Sequence, residues 1–244
     1  MKPFLILQIR PLDEASNDEY EAFLKYSGLK PDQAHRIRIE KEGIPSIKLG
    51  DYSGIILGGG PSNISDLPEQ KNQFQKRFER DLQSLFDEIF EFDFPFLGVC
   101  YGMGAITDYL GCKVSKEKYA ESVGAIEIEL TVAGLNDPLL KDMPKRFMAY
   151  CGHKEACQEL PPNTELLASS DQCPFQIIKI QSNIYATQFH VELDKKGIEL
   201  RIDVYRDHGY FKPEDADRLI KEMEATHVEY PGRILQRFVN TYKR

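Results

Sequence analysis

The stretch PFLGVCYGMG, from Pro95 to Gly104, decides which fold we expect for this chain. Its first half is apolar, which is typical of a buried strand, and the residues after Tyr101 favour a helix. Cys100 is therefore predicted to occupy a sharp turn between strand and helix. Gly98 and Gly102 fit that turn because a larger side chain at either position would collide with the neighbouring strand or helix.

Cys100 in such a turn has the features of a nucleophile. Its thiol would face the first backbone N–H groups of the helix, and the positive end of a helix favours the thiolate form. A small cysteine at a strand end also fits plain core packing, since free cysteines are often buried. The choice depends on whether the chain also supplies a base and an oxyanion-binding group.

A base follows in YATQFHVE, residues 185–192. In an extended segment, residues two apart face the same side. Glu192 is therefore expected to lie beside His190, to fix its tautomer and to stabilise the imidazolium.

An oxyanion-binding loop is predicted at GGGPS, residues 58–62, directly after an apolar strand. Without side chains, the backbone N–H groups of Gly59 and Gly60 are free to face an anion. Together with the N–H of Tyr101 they would form an oxyanion hole for a reaction at Cys100.

These three elements, in this order, resemble the class I (triad) glutamine amidotransferase family. Within it, the chain is most similar to the stand-alone branch related to the glutaminase domain of GMP synthase, which includes γ-glutamyl peptide hydrolases. The resemblance implies a flavodoxin-like α/β fold with a mostly parallel central sheet and helices on both faces. It also implies a catalytic triad of Cys100, His190 and Glu192 that hydrolyses the side-chain amide of a γ-glutamyl group. The reaction would pass through a thioester on Cys100 and need no cofactor.

Two positions depart from the family pattern: Val191 stands where proline is usual, and Gly104 stands where many members carry a glutamine that helps to hold the substrate. The family places further substrate contacts in segments that correspond here to Glu121, Ser122, Val123 and, less directly, His153. The predicted substrate is glutamine or another γ-glutamyl compound.

Three functions remain open at this stage. A glutaminase would release ammonia to a separate synthase chain or to solvent. A γ-glutamyl peptide hydrolase would use the same triad without a synthase partner, which Gly104 and the helical extension at about 195–244 favour. A catalytically silent binding protein is the third, and the complete triad argues against it.

Length and charge narrow the class of protein. The chain has 244 residues, enough for one α/β domain spanning 1–244, and no Walker-type phosphate loop. Its formal net charge of −8 argues against nucleic acid and anionic membranes as partners.

Five cysteines, an odd number, and no apolar signal segment predict free thiols in the reducing cytoplasm. Cys151, His153 and Cys157 lie close in sequence but lack a paired Cys-x-x-Cys and a fourth ligand, so no metal site is predicted.

Alternating strands and helices complete the expectation. A long helix at 70–92 is expected to bury Phe74 among its other apolar residues. Strands are predicted at 4–9, 35–40, 53–57, 124–132, 147–150, 165–169, 175–180 and 184–189, and the other helices at 18–27, 101–110, 195–208, 213–225 and 232–242.

Overall fold

The computed structural model describes residues 1–244 and contains two β-sheets. The strands are β1 (Phe4–Gln8), β2 (Ala34–Arg38), β3 (Gly54–Leu57), β4 (Phe96–Val99), β5 (Val114–Ser115), β6 (Glu121–Leu130), β7 (Arg146–His153), β8 (Ala156–Cys157), β9 (Thr164–Ser169), β10 (Ile177–Ile180) and β11 (Ile184–Thr187). The main sheet has nine strands in the order β2-β1-β3-β4-β11-β10-β9-β6-β7, and β5 pairs with β8.

Eight α-helices flank the main sheet. They are α1 (Asp13–Ser27), α2 (Ile39–Glu42), α3 (Gln73–Glu91), α4 (Tyr101–Tyr109), α5 (Val132–Asn136), α6 (Lys195–Val204), α7 (Ala216–Ala225) and α8 (Pro231–Tyr242). None of them combines the length and the apolar composition that a membrane span requires.

The five strands β2-β1-β3-β4-β11 are parallel and have the flavodoxin order, whereas β10, β9, β6 and β7 extend the sheet as antiparallel strands. This arrangement confirms the predicted α/β fold. In such sheets, ligands bind at the carboxyl ends of the parallel strands. The segments that follow β1, β3, β4 and β11 all leave the sheet at that edge.

Strand β1 shows how the two faces of the sheet are covered. Leu5 and Leu7 belong to a core cluster shared with α3 and α4, while Phe4 and Ile6 belong to a second cluster shared with α1 and α8. Because successive side chains of a strand point to opposite faces, helices pack on both faces of the sheet.

The C-terminal helices pack on this framework. Phe238 of α8 is fully buried, with its ring centroid 6.1 Å from that of Phe4. Helices α6 and α7 form a smaller apolar cluster around Tyr150 of β7. The extension predicted at 195–244 is therefore helical in large part and contacts the sheet and its first strand.

Some predicted boundaries were wrong. Helix α1 begins at Asp13 rather than at residue 18, because the acidic Asp13 and Glu14 suit the first turn of a helix. Strand β2 ends at Arg38, and Glu40 lies in α2 instead of the predicted strand. Helix α6 ends at Val204, four residues earlier than predicted.

The prediction that all aromatic residues of this helix lie in the core is wrong for Phe74. It lies in the first turn of α3, 56% exposed, with the guanidinium of Arg77 5.8 Å from its ring centroid. Phe78 and Phe86, further along α3, are buried as expected.

Candidate active site

Cys100 joins β4 to α4 with a backbone that L-residues rarely adopt. Its φ is 52° and its ψ is −95°, a strained conformation of the kind found at functional turns. A Cβ added to Gly98 would lie 2.8 Å from the carbonyl carbon of Gly102, and one added to Gly102 would lie 3.0 Å from the carbonyl oxygen of Leu57. The predicted need for both glycines is therefore confirmed.

His190 and Glu192 are in contact and buried. Nδ1 of His190 lies 2.7 Å from Oε1 of Glu192, whose side chain is fully buried. Strand β11 ends at Thr187, so His190 is held instead by a bridge to β7, where its N–H donates to the carbonyl of Tyr150 at 3.0 Å. With Nδ1–H directed at the carboxylate, Nε2 is the nitrogen left for another partner.

Charge explains the protonation of this pair. Burial alone would lower the pKa of His190, but the negative charge of Glu192 and hydrogen bonds with Cys100 and Glu192 raise it to about 10. Burial would raise the pKa of Glu192, but the charge of His190 holds it well below its usual range. The imidazolium form of His190 is thus stabilised beside Cys100.

The glycine loop after β3 approaches both residues. The N–H of Gly58 donates to the carbonyl of Leu7, whereas those of Gly59 and Gly60 have no acceptor within the chain. A Cβ on Gly59 would lie 2.8 Å from Cε1 of His190 and 3.3 Å from Cβ of Cys100. Tyr101 begins α4, where a backbone N–H has no intrahelical partner.

Two pockets meet at Cys100. The first, which we call the arginine pocket, encloses about 460 Å³ including its open mouth, and its wall includes Arg10, His190 and Arg201. The second, the Glu155 pocket, encloses about 360 Å³ on the same terms. Both are lined by Gly60, Cys100, Gly152 and Tyr210.

The residues predicted to bind substrate divide between these pockets. Gly104 and His153 line the Glu155 pocket, as does Tyr101 of the predicted oxyanion hole, and Val123 lines the arginine pocket. Glu121 and Ser122 line neither.

His153 is fully engaged in hydrogen bonds. Its Nε2 lies 2.8 Å from Oε2 of Glu121 and its Nδ1 lies 3.0 Å from the carbonyl of Glu155. The carboxylate of Glu121 also accepts from Ser170 and from Gln176. The ring of His153 therefore lines the Glu155 pocket, but neither of its nitrogens is free to bind a substrate.

The structure places together three residues of metal-binding types, a set that differs from the sequence candidates Cys151, His153 and Cys157. Ligand atoms of Glu121, His153 and Cys173 lie within 4.8 Å of one another. The hydrogen bonds of Glu121 and His153 already use the atoms that a metal would need, so this arrangement fits a polar network in the core.

Several residues of the site were not identified from the sequence, among them Arg10, Glu155, Arg201 and Tyr210. Arg10 had a usable signal, because it follows the apolar strand β1 and so lies at the carboxyl edge where sites form. Glu155 accepts from the N–H groups of Ile64 and Ser65, which only the fold brings close.

Fold and site together define an α/β protein in which Cys100 and His190 line one pocket and His190 contacts Glu192. The family model described as "Glutamine amidotransferase class-I" matches residues 31–202, so the chain belongs to the class I glutamine amidotransferase family. The resemblance inferred from the motifs is thus confirmed.

The relatives with similar sequences include GMP synthases. The chain is 32% identical over 182 residues to the GMP synthase [glutamine-hydrolyzing] of Lactobacillus delbrueckii subsp. bulgaricus, an alignment covering 74% of this chain and 30% of that protein. It is 34% identical over 164 residues to a GMP synthase [glutamine-hydrolyzing] subunit from Pyrococcus abyssi, covering 64% of this chain and 78% of that one. The chain thus spans less than a third of the first relative and most of the second.

Solved structures share the whole fold. A glutamine amidotransferase from Thermotoga maritima superposes with a TM-score of 0.78 at 20% identity, covering all of both chains. At this identity the likeness concerns the fold.

Proposed function

We propose that this chain hydrolyses γ-glutamyl amides through a Cys100 thioester, with glutamine as the first substrate to test. One observation carries the proposal: Cys100 and His190 line the same pocket, and Nδ1 of His190 is 2.7 Å from the Glu192 carboxylate. A nucleophile, a base and an orienting carboxylate in this order are what acyl transfer from an amide requires.

In the first half of the reaction, Sγ of Cys100 attacks the amide carbon and a C–S bond forms. The negative charge that develops on the carbonyl oxygen is held by the free N–H groups of Gly59 and Gly60 and by that of Tyr101. His190, which Glu192 keeps protonated, gives its proton to the leaving nitrogen as the C–N bond breaks.

In the second half, His190 accepts a proton from water, and the resulting hydroxide attacks the thioester carbon. The C–S bond breaks, its electron pair leaves with Sγ of Cys100, and His190 keeps the proton from water, so the starting pair is restored. The new carboxyl group of glutamate ionises, and its proton goes to the released amine. The cycle consumes one water and needs no cofactor.

The Glu155 pocket suits the amino-acid end of a glutamyl group. Lys154 and Glu155 lie in its wall and carry opposite charges, as a substrate with an ammonium and a carboxylate requires. Glu155 also lies where a side chain at position 104 would point, since its Oε1 is 3.8 Å from a Cβ built on Gly104. We propose that Glu155 takes over the role that a glutamine plays there in other members of the family.

A second candidate is a γ-glutamyl peptide hydrolase. The observation that favours it is the arginine pocket, because its wall carries the guanidinium groups of Arg10 and Arg201, which a group larger than ammonia could engage. Both candidates share the same chemistry and differ in what is attached to the amide nitrogen.

Released ammonia would pass to a separate synthase chain or to solvent. The relative from Pyrococcus abyssi is named as one subunit of a GMP synthase, which supports a separate partner. This partner stays a prediction. The same holds for the single domain over 1–244, for the cytoplasmic location and for the absence of nucleic-acid and membrane partners.

The test is release of glutamate from glutamine and from a γ-glutamyl dipeptide, comparing the wild type with Cys100→Ala and with Cys112→Ala. Cys112 is the matched control because it is also free and partly exposed. Turnover that disappears only in Cys100→Ala supports the proposal. No turnover of either substrate, or turnover that survives Cys100→Ala, would contradict it.

A further inference from the structure

We propose that the arginine pocket binds the carboxylate of the leaving amine, so that the preferred substrates are γ-glutamyl amino acids. This inference rests on the proposed function, because it assigns the group on the amide nitrogen of the same substrate.

The position of His190 indicates which of the two pockets binds the leaving group. The proton for the leaving nitrogen comes from His190, so that nitrogen must lie against the imidazole. His190 lines the arginine pocket and is absent from the wall of the Glu155 pocket. The glutamyl group therefore occupies the Glu155 pocket, and whatever the nitrogen carries extends past His190 into the arginine pocket.

Arg201 provides the first donor for an anion. It is 6% exposed, and only its Nη1 has a partner, Oδ2 of Asp18 at 2.9 Å. Its Nε and Nη2 are buried without any hydrogen-bond partner. Unpartnered guanidinium donors are costly in the interior of a protein, and a bound carboxylate is the group that best fits their fork-like geometry.

Arg10 provides a second positive charge on the same wall. Its Nε donates to Glu19 at 2.6 Å and its Nη1 to Tyr205 at 3.3 Å. Its Nη2 lies 3.4 Å from the Cβ position of Gly59, next to Cys100 and His190. Burial and the charge of Arg10 both lower the pKa of Arg201, which is the effect of two crowded cations that an anion would relieve.

Part of the pocket wall is apolar. Val123, Leu193, Ile198 and Phe211 form its wall beside the two arginines. A leaving group with an apolar side chain and a carboxylate, as in an amino acid such as valine, matches both parts of this lining.

The experiment compares γ-glutamyl-valine with γ-glutamyl-valinamide, which differ only at the C-terminal group: a carboxylate in the first and an uncharged carboxamide of similar size in the second. We expect wild-type kcat/KM to favour the acid roughly 10- to 100-fold, the range for hydrogen bonds to a charged group. The same ratio in Arg201→Gln should fall by about tenfold, because Arg10 remains. Arg201→Lys keeps the ion pair with Asp18 and serves if Arg201→Gln folds poorly; it loses the fork, so its ratio should also fall.

Arg206→Gln is the matched control, since Arg206 lies just beyond α6 and pairs with Asp203 and Asp217 at the surface. Its ratio should equal that of the wild type. A wild-type ratio near 1, or a preference that both Arg201 variants keep, would overturn the inference while the proposed function stands.

If the wild type cleaves neither dipeptide nor glutamine, the proposed function fails by itself. The inference is then decided by calorimetric binding of the two dipeptides to Cys100→Ala. Preferential binding of the acid supports the carboxylate site, and equal or no binding rejects it.

Discussion

Oε1 of Glu192 lies 2.7 Å from Nδ1 of His190, although only Val191 separates the two residues in the chain. Oε2 of the same carboxylate is buried and has no hydrogen-bond partner. The charge of Glu192 is therefore balanced by His190 on one side and by the nearby Arg10, whose charge helps to keep it ionised. Removal of the Glu192 charge should therefore change the pKa of His190 more than that of any other group.

We expect Glu192→Gln to lower kcat by roughly 10³- to 10⁴-fold, because the imidazole loses both its orientation and the charge that stabilises its protonated form. The pKa of His190 should fall from its value of about 10 in the wild type. Steady-state kinetics and NMR titration of the His190 ring measure the two effects. An unchanged His190 titration would contradict this account of the pair.

The stability of the fold should depend on the protonation of His190. Its pKa is raised to about 10 in the folded protein, so its contribution is complete below the unfolded value near 6.5 and is lost as pH rises through 10. We expect the difference in free energy of unfolding between the wild type and His190→Gln to be largest near pH 6 and to shrink toward pH 10. Denaturant titrations across this range measure it, and a difference independent of pH would refute the assignment.

Gly59→Ala should impair activity more than stability. The new Cβ would lie 2.8 Å from Cε1 of His190 and would displace the ring from Cys100. A displacement of about 1 Å commonly costs on the order of 10²-fold in rate. Gly50→Ala is the control, because a Cβ there meets no atom within 4 Å. Equal activity of the two variants would show that His190 does not need its present position.

Phe238→Ala should destabilise the fold by about 3–5 kcal/mol, the usual cost of emptying a buried aromatic site. Phe238 is fully buried against Phe4, whereas Phe74 is 56% exposed. Phe74→Ala is therefore the matched control and should change the free energy of unfolding by less than about 0.5 kcal/mol. Similar effects of both variants would contradict the observed packing of α8.

Local pattern predicted the α/β fold and the contact between His190 and Glu192. The apolar runs at Phe96–Val99 and Gly54–Leu57 are strands because both are buried on two faces, and the glycines around Cys100 are required by backbone contacts within a few ångströms. The contact between His190 and Glu192 was predictable because residues two apart in an extended segment face the same side. The grouping of Cys100 with this pair was implied by the family resemblance.

Local sequence pattern could not predict contacts between residues that are far apart in the chain. Arg10 and Arg201 are 191 residues apart in sequence and line one pocket only because the fold packs α6 against α1. Phe74 was misplaced because helical periodicity predicts a face but not where along the helix the neighbouring sheet ends. The roles of the site residues stay predictions until the variants above are measured.

The hydrogen bond from His190 to Tyr150 has one further consequence. Tyr150 belongs to β7, the terminal strand of the nine-stranded sheet, which pairs with β6 and otherwise only with His190. Terminal strands exchange their amide hydrogens by local opening more readily than central ones do. We therefore expect the proposed turnover to disappear at a lower denaturant concentration than the one that unfolds the sheet, because fraying of β7 would displace His190 first.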